Sequence, residues 1–226
     1  PLTPFRSTDW FGLTVVVALA LALRIYFHTG LFGSDEVTYI QTAVSIVAGD
    51  WQASNYIGAT RYGMNLPLAL SIYLFGLSEA SANLWPLLCS VGEVAVVFAI
   101  ARWLWSTRVA MICAGLLALL PLHVHIAGRM LADAPLAFFL SLSVALLLHA
   151  AYSRSALSYF AAGLAWGGVF WVKESVGLLY LPIFLFLILL LDGINGKWSS
   201  LLGGVGLSLV ANCALMSFVA GDPLHV

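Results

Sequence analysis

The chain has 226 residues, of which 62% are hydrophobic and 8% are charged, and its mean hydropathy is +1.01. A soluble chain of this length could not bury so much apolar surface, so the composition predicts an integral membrane protein. The formal net charge is only −1, and this near-neutral balance gives no indication of a nucleic-acid partner.

Seven apolar stretches along the chain are near the length needed to cross a bilayer, since a helical span takes about 20 residues and tolerates about 17. We place them at about 10–29, 84–101, 109–127, 134–151, 157–172, 175–191 and 200–219. No period-two pattern indicates a barrel, and backbone hydrogen bonding in lipid then requires helices. The sequence therefore predicts an all-α, polytopic transmembrane helix bundle with about seven spans.

Residues 62–80 are ambiguous, because they fit either an extra span or a helix lying in the membrane interface. If they do not cross, four later cations fall on the same side as Arg6, namely Arg102, Arg108, Arg154 and Lys197. The positive-inside rule therefore favours seven crossings with the N-terminus inside and the C-terminus outside. Arg61, Arg129 and Lys173 then stay outside with most of the acids. Cations on the outer face against the rule are candidates for binding an anion.

The first outer loop is predicted to carry an interfacial helix over residues 34–48. Its apolar residues recur at helical spacing, at Val37, Ile40, Val44 and Val47. Asp35 and Glu36 open this helix, and Asp35 and Tyr39 are neighbours one turn apart. The two acids fit a general base near lipid, and equally fit first-turn acids that stabilise the helix dipole.

Three further charged residues have both a structural and a functional interpretation. Asp133 fits a helix cap before Pro135, or a substrate-orienting, metal-binding or loop-anchoring acid on the same side as Asp35. Lys173 fits a lysine that snorkels at a helix end, or a point charge that neutralises a phosphate. Arg24, inside the first span, is expected to face the bundle or to snorkel outward, with a first-loop carboxylate as one candidate partner.

Several short motifs occur in an order that resembles the GT-C membrane glycosyltransferases, in the branch of the protein O-mannosyltransferases and lipid A aminoarabinose transferases. They are Leu23-Arg24, Asp35-Glu36-x-x-Tyr39, Gly49-Asp50-Trp51, Leu74-Phe75-Gly76, Arg102-Trp103-Leu104-Trp105, Asp133-Ala134-Pro135 and Val172-Lys173-Glu174. Each motif is weak alone, and their order and spacing make the match specific. The resemblance extends over nearly the whole chain.

The resemblance implies inverting transfer of a sugar from a polyprenyl-phosphate donor to an unidentified acceptor, at the outer face of a cell inner or plasma membrane. It assigns the catalytic base to Asp35, with Glu36 beside it, the second-loop acid to Asp133 and the phosphate-facing cation to Lys173. Arg61, Arg129, Tyr39 and Arg24 complete the candidate substrate-binding residues. No residue is assigned to a metal, since Arg61-Tyr62-Gly63 lacks an acid that some relatives use for metal binding. A divalent metal cofactor stays an open alternative.

The relatives in this branch are much longer, so we expect residues 1–226 to form a single transmembrane domain that is incomplete at its C-terminus. The alternative function is a non-catalytic, truncated or divergent relative that serves as a membrane scaffold or a subunit of a larger complex. A transporter is a third reading, but it would need acids near the bilayer midplane, whereas these acids cluster at one face. Membrane lipids are the remaining expected partners.

Overall fold

The computed structural model describes residues 4–51 and 56–222, and the regular structure within these ranges is entirely helical. The helices are α1 (Ser7–Tyr26), α2 (Asp35–Val47), α3 (Ile57–Thr60), α4 (Tyr62–Phe75), α5 (Glu79–Leu104), α6 (Thr107–Leu119), α7 (Pro121–Ala127), α8 (Asp133–Ser153), α9 (Ala156–Val172), α10 (Glu174–Asp192) and α11 (Trp198–Ala220). The predicted all-α fold is confirmed.

Five of these helices, α1, α5, α8, α10 and α11, are long and apolar enough to cross a membrane. The bent pair α6 and α7 makes a sixth candidate span. Helix α9 is equally apolar but has 17 residues, which is short for a full crossing. The protein is therefore an integral membrane protein, while the count of seven spans and the inside–outside orientation stay predictions.

The stretch predicted as one helix over residues 109–127 is divided into α6 and α7, whose axes differ by 61°. The break falls at Leu120, which has an extended backbone with φ −64° and ψ 115°. Pro121 explains the break, since proline disfavours the helical conformation in the residue before it and lacks the N–H that would continue the helix. Pro121 then begins α7, where the missing N–H costs nothing.

Helix α4 packs against the first part of α5. The indole Nε1 of Trp85 donates to the carbonyl oxygen of Gly63 at 3.1 Å, and the hydroxyl of Ser71 donates to the carbonyl oxygen of Ser81 at 2.7 Å. Gly63 near the start of α4 and Ser71 in its third turn are thus bonded to the first two turns of α5. The helix ends at Phe75, before Gly76, and its 14 residues are short for a crossing, while the interfacial interpretation of residues 62–80 stays a prediction.

The α9–α11 interface is built from small residues one turn apart. A Cβ placed on Gly163 would lie 2.3 Å from the carbonyl oxygen of Leu201, and one on Gly204 would lie 2.3 Å from the carbonyl oxygen of Phe160. Gly167 meets Ser208 one turn further along. Close backbone approach of this kind is a main source of helix association in lipid, where the hydrophobic effect does not act between helices.

Helix α2 presents three different faces. Glu36, Tyr39 and Ala43 are buried, with Tyr39 and Ala43 packed against α4 residues such as Met64 and Leu68. The apolar face that the sequence predicts for interfacial contact is largely exposed, at Val37, Val44 and Val47. The third face is polar and carries Asp35, Thr38, Thr42 and Ser45. An amphipathic helix over 34–48 is thus confirmed, with bounds of Asp35–Val47.

Candidate active site

Asp35 stands at the start of α2 with its carboxylate partly accessible. The hydroxyl of Tyr56 donates a hydrogen bond to Oδ1 of Asp35 at 2.7 Å, which leaves Oδ2 without a hydrogen-bond partner among the described residues. This bond to a carboxylate is the largest cause that raises the pKa of the exposed Tyr56 phenol, and partial desolvation adds to it. Tyr56 therefore stays protonated near neutral pH and holds Asp35 while one carboxylate oxygen faces the cleft.

Glu36 differs from its neighbour in being almost completely buried, with 1% of its side chain exposed. Its Oε2 accepts hydrogen bonds from the backbone N–H groups of Phe32 and Gly33 at 2.7 and 2.9 Å. Its Oε1 accepts from Nε of Arg129 at 3.1 Å, and the Arg129 guanidinium stacks on the Phe32 ring at 4.9 Å. Both oxygens are engaged, so the geometry favours an anchoring role for Glu36.

The same ion pair limits what Arg129 can offer a substrate. The sequence nominates Arg129 as an outer cation for an anion, but its charge is compensated by Glu36 and its plane is covered by Phe32. The pair joins the first turn of α2 to the turn between α7 and α8. Arg129 therefore supports the loop that carries Asp35, and other cations are better placed for a phosphate.

Arg61 approaches the same cleft from the junction of α3 and α4. Its Nη1 donates to the hydroxyl oxygen of Tyr39 at 2.7 Å, whereas its Nε is buried and has no hydrogen-bond partner among the described residues. Burial works to lower the pKa of Arg61, but the bond to Tyr39 and the charges of Glu174 and Asp35 outweigh it and raise that pKa. Arg61 is thus permanently charged, and its guanidinium keeps N–H groups that can donate to a ligand.

Asp133 and Lys173 form an ion pair near Tyr39. Nζ of Lys173 lies 3.7 Å from Oδ1 of Asp133, and 50% of the Asp133 side chain is exposed. The N-cap position of α8 is Ala132, so Asp133 is the first residue of the helix and not its cap. The functional interpretation of Asp133 stays a prediction. At this separation the pair is loose, and Lys173 can reach a competing anion.

Tyr39 connects these groups. It is 1% exposed, and burial raises its pKa despite the hydrogen bond from Arg61. The charges of Asp35 and Asp133 both add to this rise, so both acids lie near the Tyr39 hydroxyl. Five residues nominated from the sequence are thus brought together, namely Asp35, Tyr39, Arg61, Asp133 and Lys173.

Two residues of the cleft are absent from the sequence-based list of site residues. Tyr56 bonds to Asp35, and Glu174, directly after Lys173, acts on Arg61 with its charge. Oε1 of Glu174 is buried and has no hydrogen-bond partner among the described residues. Glu174 was recognisable as an acid at a helix start beside a nominated lysine, whereas no local pattern marks Tyr56.

Arg24 lies in a different cluster, buried between α1, α5, α6 and α7. Its Nε donates to the hydroxyl of Ser90 at 2.7 Å, and its Nη2 lies 2.6 Å from Nδ1 of His123. Nε2 of His123 lies 2.7 Å from Glu93. Because Arg24 is always a donor, Nδ1 of His123 accepts and its Nε2–H donates to Glu93. Arg24 thus faces the bundle, as one of the two sequence-based alternatives expects, and its hydrogen-bond partners do not include a first-loop carboxylate.

The described ranges contain no group of three or more His, Cys, Asp and Glu side chains that could hold a metal ion. The cleft instead combines acids and cations, with Asp35, Asp133 and Glu174 opposite Arg61 and Lys173. A carboxylate with one free oxygen can accept a proton, and two neighbouring cations can stabilise charge that develops on an anionic leaving group. The arrangement is therefore suited to transfer of a group away from an anion.

Comparison with known proteins matches residues 63–215, about two thirds of the chain, to the family model described as dolichyl-phosphate-mannose-protein mannosyltransferase. Two relatives are undecaprenyl phosphate-alpha-4-amino-4-deoxy-L-arabinose arabinosyl transferases of Pseudomonas aeruginosa, strains LESB58 and PAO1. Each is 28% identical over 211 residues, which are 89% of this chain and 37% of the relative. The chain thus spans little more than a third of their length. No solved structure matches it.

The family match begins at Gly63, the residue at which α4 rests on α9, and extends into α11. The alignment with the arabinosyl transferases covers more of the chain than the family model does. The resemblance inferred from the ordered motifs is therefore confirmed by two separate comparisons. On this evidence the chain belongs to the dolichyl-phosphate-mannose-protein mannosyltransferase family, within the GT-C glycosyltransferases.

Proposed function

We propose that the protein, with the rest of its chain, is an inverting glycosyltransferase that takes a sugar from a polyprenyl-phosphate donor. The observation that carries the proposal is the grouping of Asp35, whose Oδ2 has no hydrogen-bond partner among the described residues, with the cations Arg61 and Lys173. The relatives named as undecaprenyl-phosphate-dependent arabinosyl transferases support the donor class. The acceptor is a hydroxyl or amine of unassigned origin.

In the proposed step, Oδ2 of Asp35 takes the proton of the acceptor hydroxyl while the acceptor oxygen attacks the anomeric carbon of the sugar. The bond from that carbon to the phosphate oxygen breaks, and its electron pair leaves with the polyprenyl phosphate. Attack opposite the leaving group inverts the configuration at the anomeric carbon. Asp35 becomes protonated, and the sugar is joined to the acceptor.

Arg61 and Lys173 act on the leaving phosphate in this scheme. Arg61 has an unpartnered Nε and only one Nη committed to Tyr39, so it can bind two phosphate oxygens. Lys173 would turn from Asp133 toward the phosphate as negative charge builds up there. Asp133 then orients Lys173 in the absence of donor. The resemblance leaves a divalent metal as a proposal, and the steps above use only protein side chains.

The polar cleft and the exposed apolar stripe of α2 lie at the same end of the bundle. We place this end at the outer face of a cell inner or plasma membrane, where the positive-inside rule puts it. A lipid-borne donor could then present its phosphate to Arg61 while its tail stays in the bilayer. The alternative is a scaffold without catalytic activity.

The test is sugar transfer from labelled polyprenyl-phosphate sugars in membranes that carry the full-length protein, comparing wild type with Asp35→Asn. Asp222→Asn serves as a control for loss of one acid near the end of α11. We expect Asp35→Asn to abolish transfer while binding of polyprenyl phosphate persists, and Asp222→Asn to retain transfer. Equal transfer by wild type and Asp35→Asn would overturn the assignment. No transfer and no donor binding by wild type, over several donors, would favour the scaffold.

A further inference from the structure

A polar groove runs along α2 beside the candidate active site. It has a cavity volume of about 270 Å³ and is lined on one side by Thr38, Gln41, Thr42 and Ser45. None of these four side chains hydrogen-bonds to another described residue. Hydroxyl and amide groups gathered in a cavity with unused hydrogen-bonding capacity point to a polar ligand.

The groove is continuous with the proposed catalytic base. Asp35, Thr38, Thr42 and Ser45 are three or four residues apart, so they lie along one face of α2. The Thr38 methyl carbon and the Tyr56 ring both flank Gly58, at 3.7 and 2.6 Å from where a Cβ would be. Tyr56 in turn donates to Asp35. A ligand in the groove would therefore have one end beside the free oxygen of Asp35.

The lining of the groove discriminates between ligand classes. Among the described residues its lining contains one charged side chain, Asp50, and no Lys or Arg, so it is not built for a phosphate or another anion. Trp51 and Tyr62 add aromatic surface at its far side, and Trp51 is braced by an edge-to-face contact with Phe218 at 5.9 Å. Hydroxyl and amide groups opposite aromatic rings suit a neutral molecule that has both apolar ring faces and many hydroxyl groups.

A peptide fits this groove less well. Peptide recognition commonly uses free backbone groups of a sheet edge, or an apolar groove for an amphipathic helix. The α2 wall of the groove is helical, so its backbone N–H and C=O groups are used within the helix. From Thr38 to Ser45 the polar face extends about 10 Å along the helix axis. That length is of the order of two sugar rings.

We propose that this groove binds the saccharide part of the acceptor and presents its hydroxyl to Asp35. The inference rests on the proposed function, since it names the acceptor class of that same site. It assigns Thr38, Gln41, Thr42 and Ser45 to acceptor recognition and separates them from the donor-binding cations Arg61 and Lys173. The donor and acceptor thus enter the cleft from different sides of Asp35.

The test is direct binding of a neutral disaccharide, N,N′-diacetylchitobiose, to the full-length protein in lipid nanodiscs, measured by saturation-transfer NMR. A serine- and threonine-containing hexapeptide is the competing probe. Thr42→Trp fills the groove, and Val44→Trp places the same side chain on the exposed apolar face of the same helix. Thr42→Val removes only the hydroxyl and nearly preserves the shape.

We expect the disaccharide to bind wild type and Val44→Trp alike, with the dissociation constant raised at least about tenfold in Thr42→Trp and about threefold in Thr42→Val. Binding of the peptide but not the disaccharide would overturn the inference, as would disaccharide binding that Thr42→Trp leaves unchanged. No binding of either probe would also overturn it.

Sugar transfer and donor binding are measured on the same samples, so that the two proposals fail separately. Disaccharide binding that is lost in Thr42→Trp, in a protein that transfers no sugar, would retain the groove as a saccharide site and overturn the proposed function. Transfer that persists at full rate with any acceptor in Thr42→Trp would overturn the assignment of the groove to acceptor binding and retain the proposed function.

Discussion

Gly63 rests directly on the peptide group of Trp171, where a Cβ on Gly63 would lie 2.7 Å from the carbonyl carbon. Arg61 stands two residues before this contact, and Lys173 and Glu174 stand just after it. The contact therefore sets the distance between the cations that the proposed reaction uses. Trp85 reinforces it by donating to the Gly63 carbonyl oxygen.

Gly63→Ala is expected to separate α4 from α9, because the added methyl group would meet backbone that cannot move aside. A displacement of about 1 Å costs a positioned reaction about 10²-fold, and we expect a loss of sugar transfer of that order per mole of folded protein. Gly115→Ala on α6 is the control, since nothing lies within 4 Å of its Cβ position. Equal activity of the two variants would contradict this role of Gly63.

Replacing a carboxylate by an amide is expected to affect activity at Asp35 and stability at Glu36. Asp35→Asn removes the proposed base, so transfer should fall by about 10² to 10⁴-fold with little change in thermal stability. Glu36→Gln removes the charge that Arg129 faces, and breaking a buried pair costs about 3–5 kcal/mol. Its apparent Tm in detergent should therefore drop by several degrees. The reverse pattern, a stable Glu36→Gln and an unstable Asp35→Asn, would refute this division.

Tyr39→Phe is expected to weaken donor binding by freeing Arg61 from its position. The phenol is neutral near pH 7, because burial raises its pKa, and it gives Nη1 of Arg61 an acceptor at 2.7 Å. Loss of one such bond to a charged group corresponds to about tenfold in binding of polyprenyl phosphate. Tyr26→Phe, at an exposed side chain near the end of α1, should change nothing. Unaltered donor affinity in Tyr39→Phe would show that Arg61 does not depend on the phenol.

Helices α9 and α11 are in close contact at Gly163 and Gly204, and we call this contact the glycine seam. Substitutions in the seam are expected to lower stability without directly changing the proposed sugar transfer. Gly163→Leu or Gly204→Leu would place a side chain where each glycine now touches the opposite backbone, and overpacking of this kind costs about 1–3 kcal/mol. Both variants should lower the apparent Tm. Gly206→Ala, on α11 with open space around it, is the matched control. A Tm that stays at the wild-type value in both leucine variants would argue against the seam.

The sequence identifies the groups at the site better than their individual roles. Counting which side of the membrane each charge occupies brings Asp35, Arg61 and Lys173 together, because helical spans alternate in direction. It does not separate Asp35 from Glu36, which look alike in a motif. Their separation follows from helix spacing, since Glu36 lies on the buried stripe with Tyr39 and Ala43.

Other features depend on contacts between distant segments and have no local signature. Tyr56 reaches Asp35 across 21 positions of sequence, and Arg24 reaches His123 across 99. The bend between α6 and α7 has a local cause in Pro121, yet hydropathy averages over it and predicts one span. Sequence periodicity therefore predicts the helices, and charge counting predicts which charged residues lie at the same end of the bundle. Which of these charges form pairs depends on tertiary packing.

The bend at Leu120 leaves α6 with 13 residues, a length of about 20 Å. A hydrocarbon core is about 30 Å thick, so α6 alone is too short to cross it and the bent helix α7 adds only part of its own length along the same direction. Bilayers respond to such hydrophobic mismatch by thinning locally. Thinning beside α6 and α7 would bring the phosphate headgroups closer to the bilayer midplane on that flank. We therefore expect the protein to favour thin membranes. We also expect the proposed lipid-linked donor to approach it beside α6 and α7, where the bilayer would be thinner.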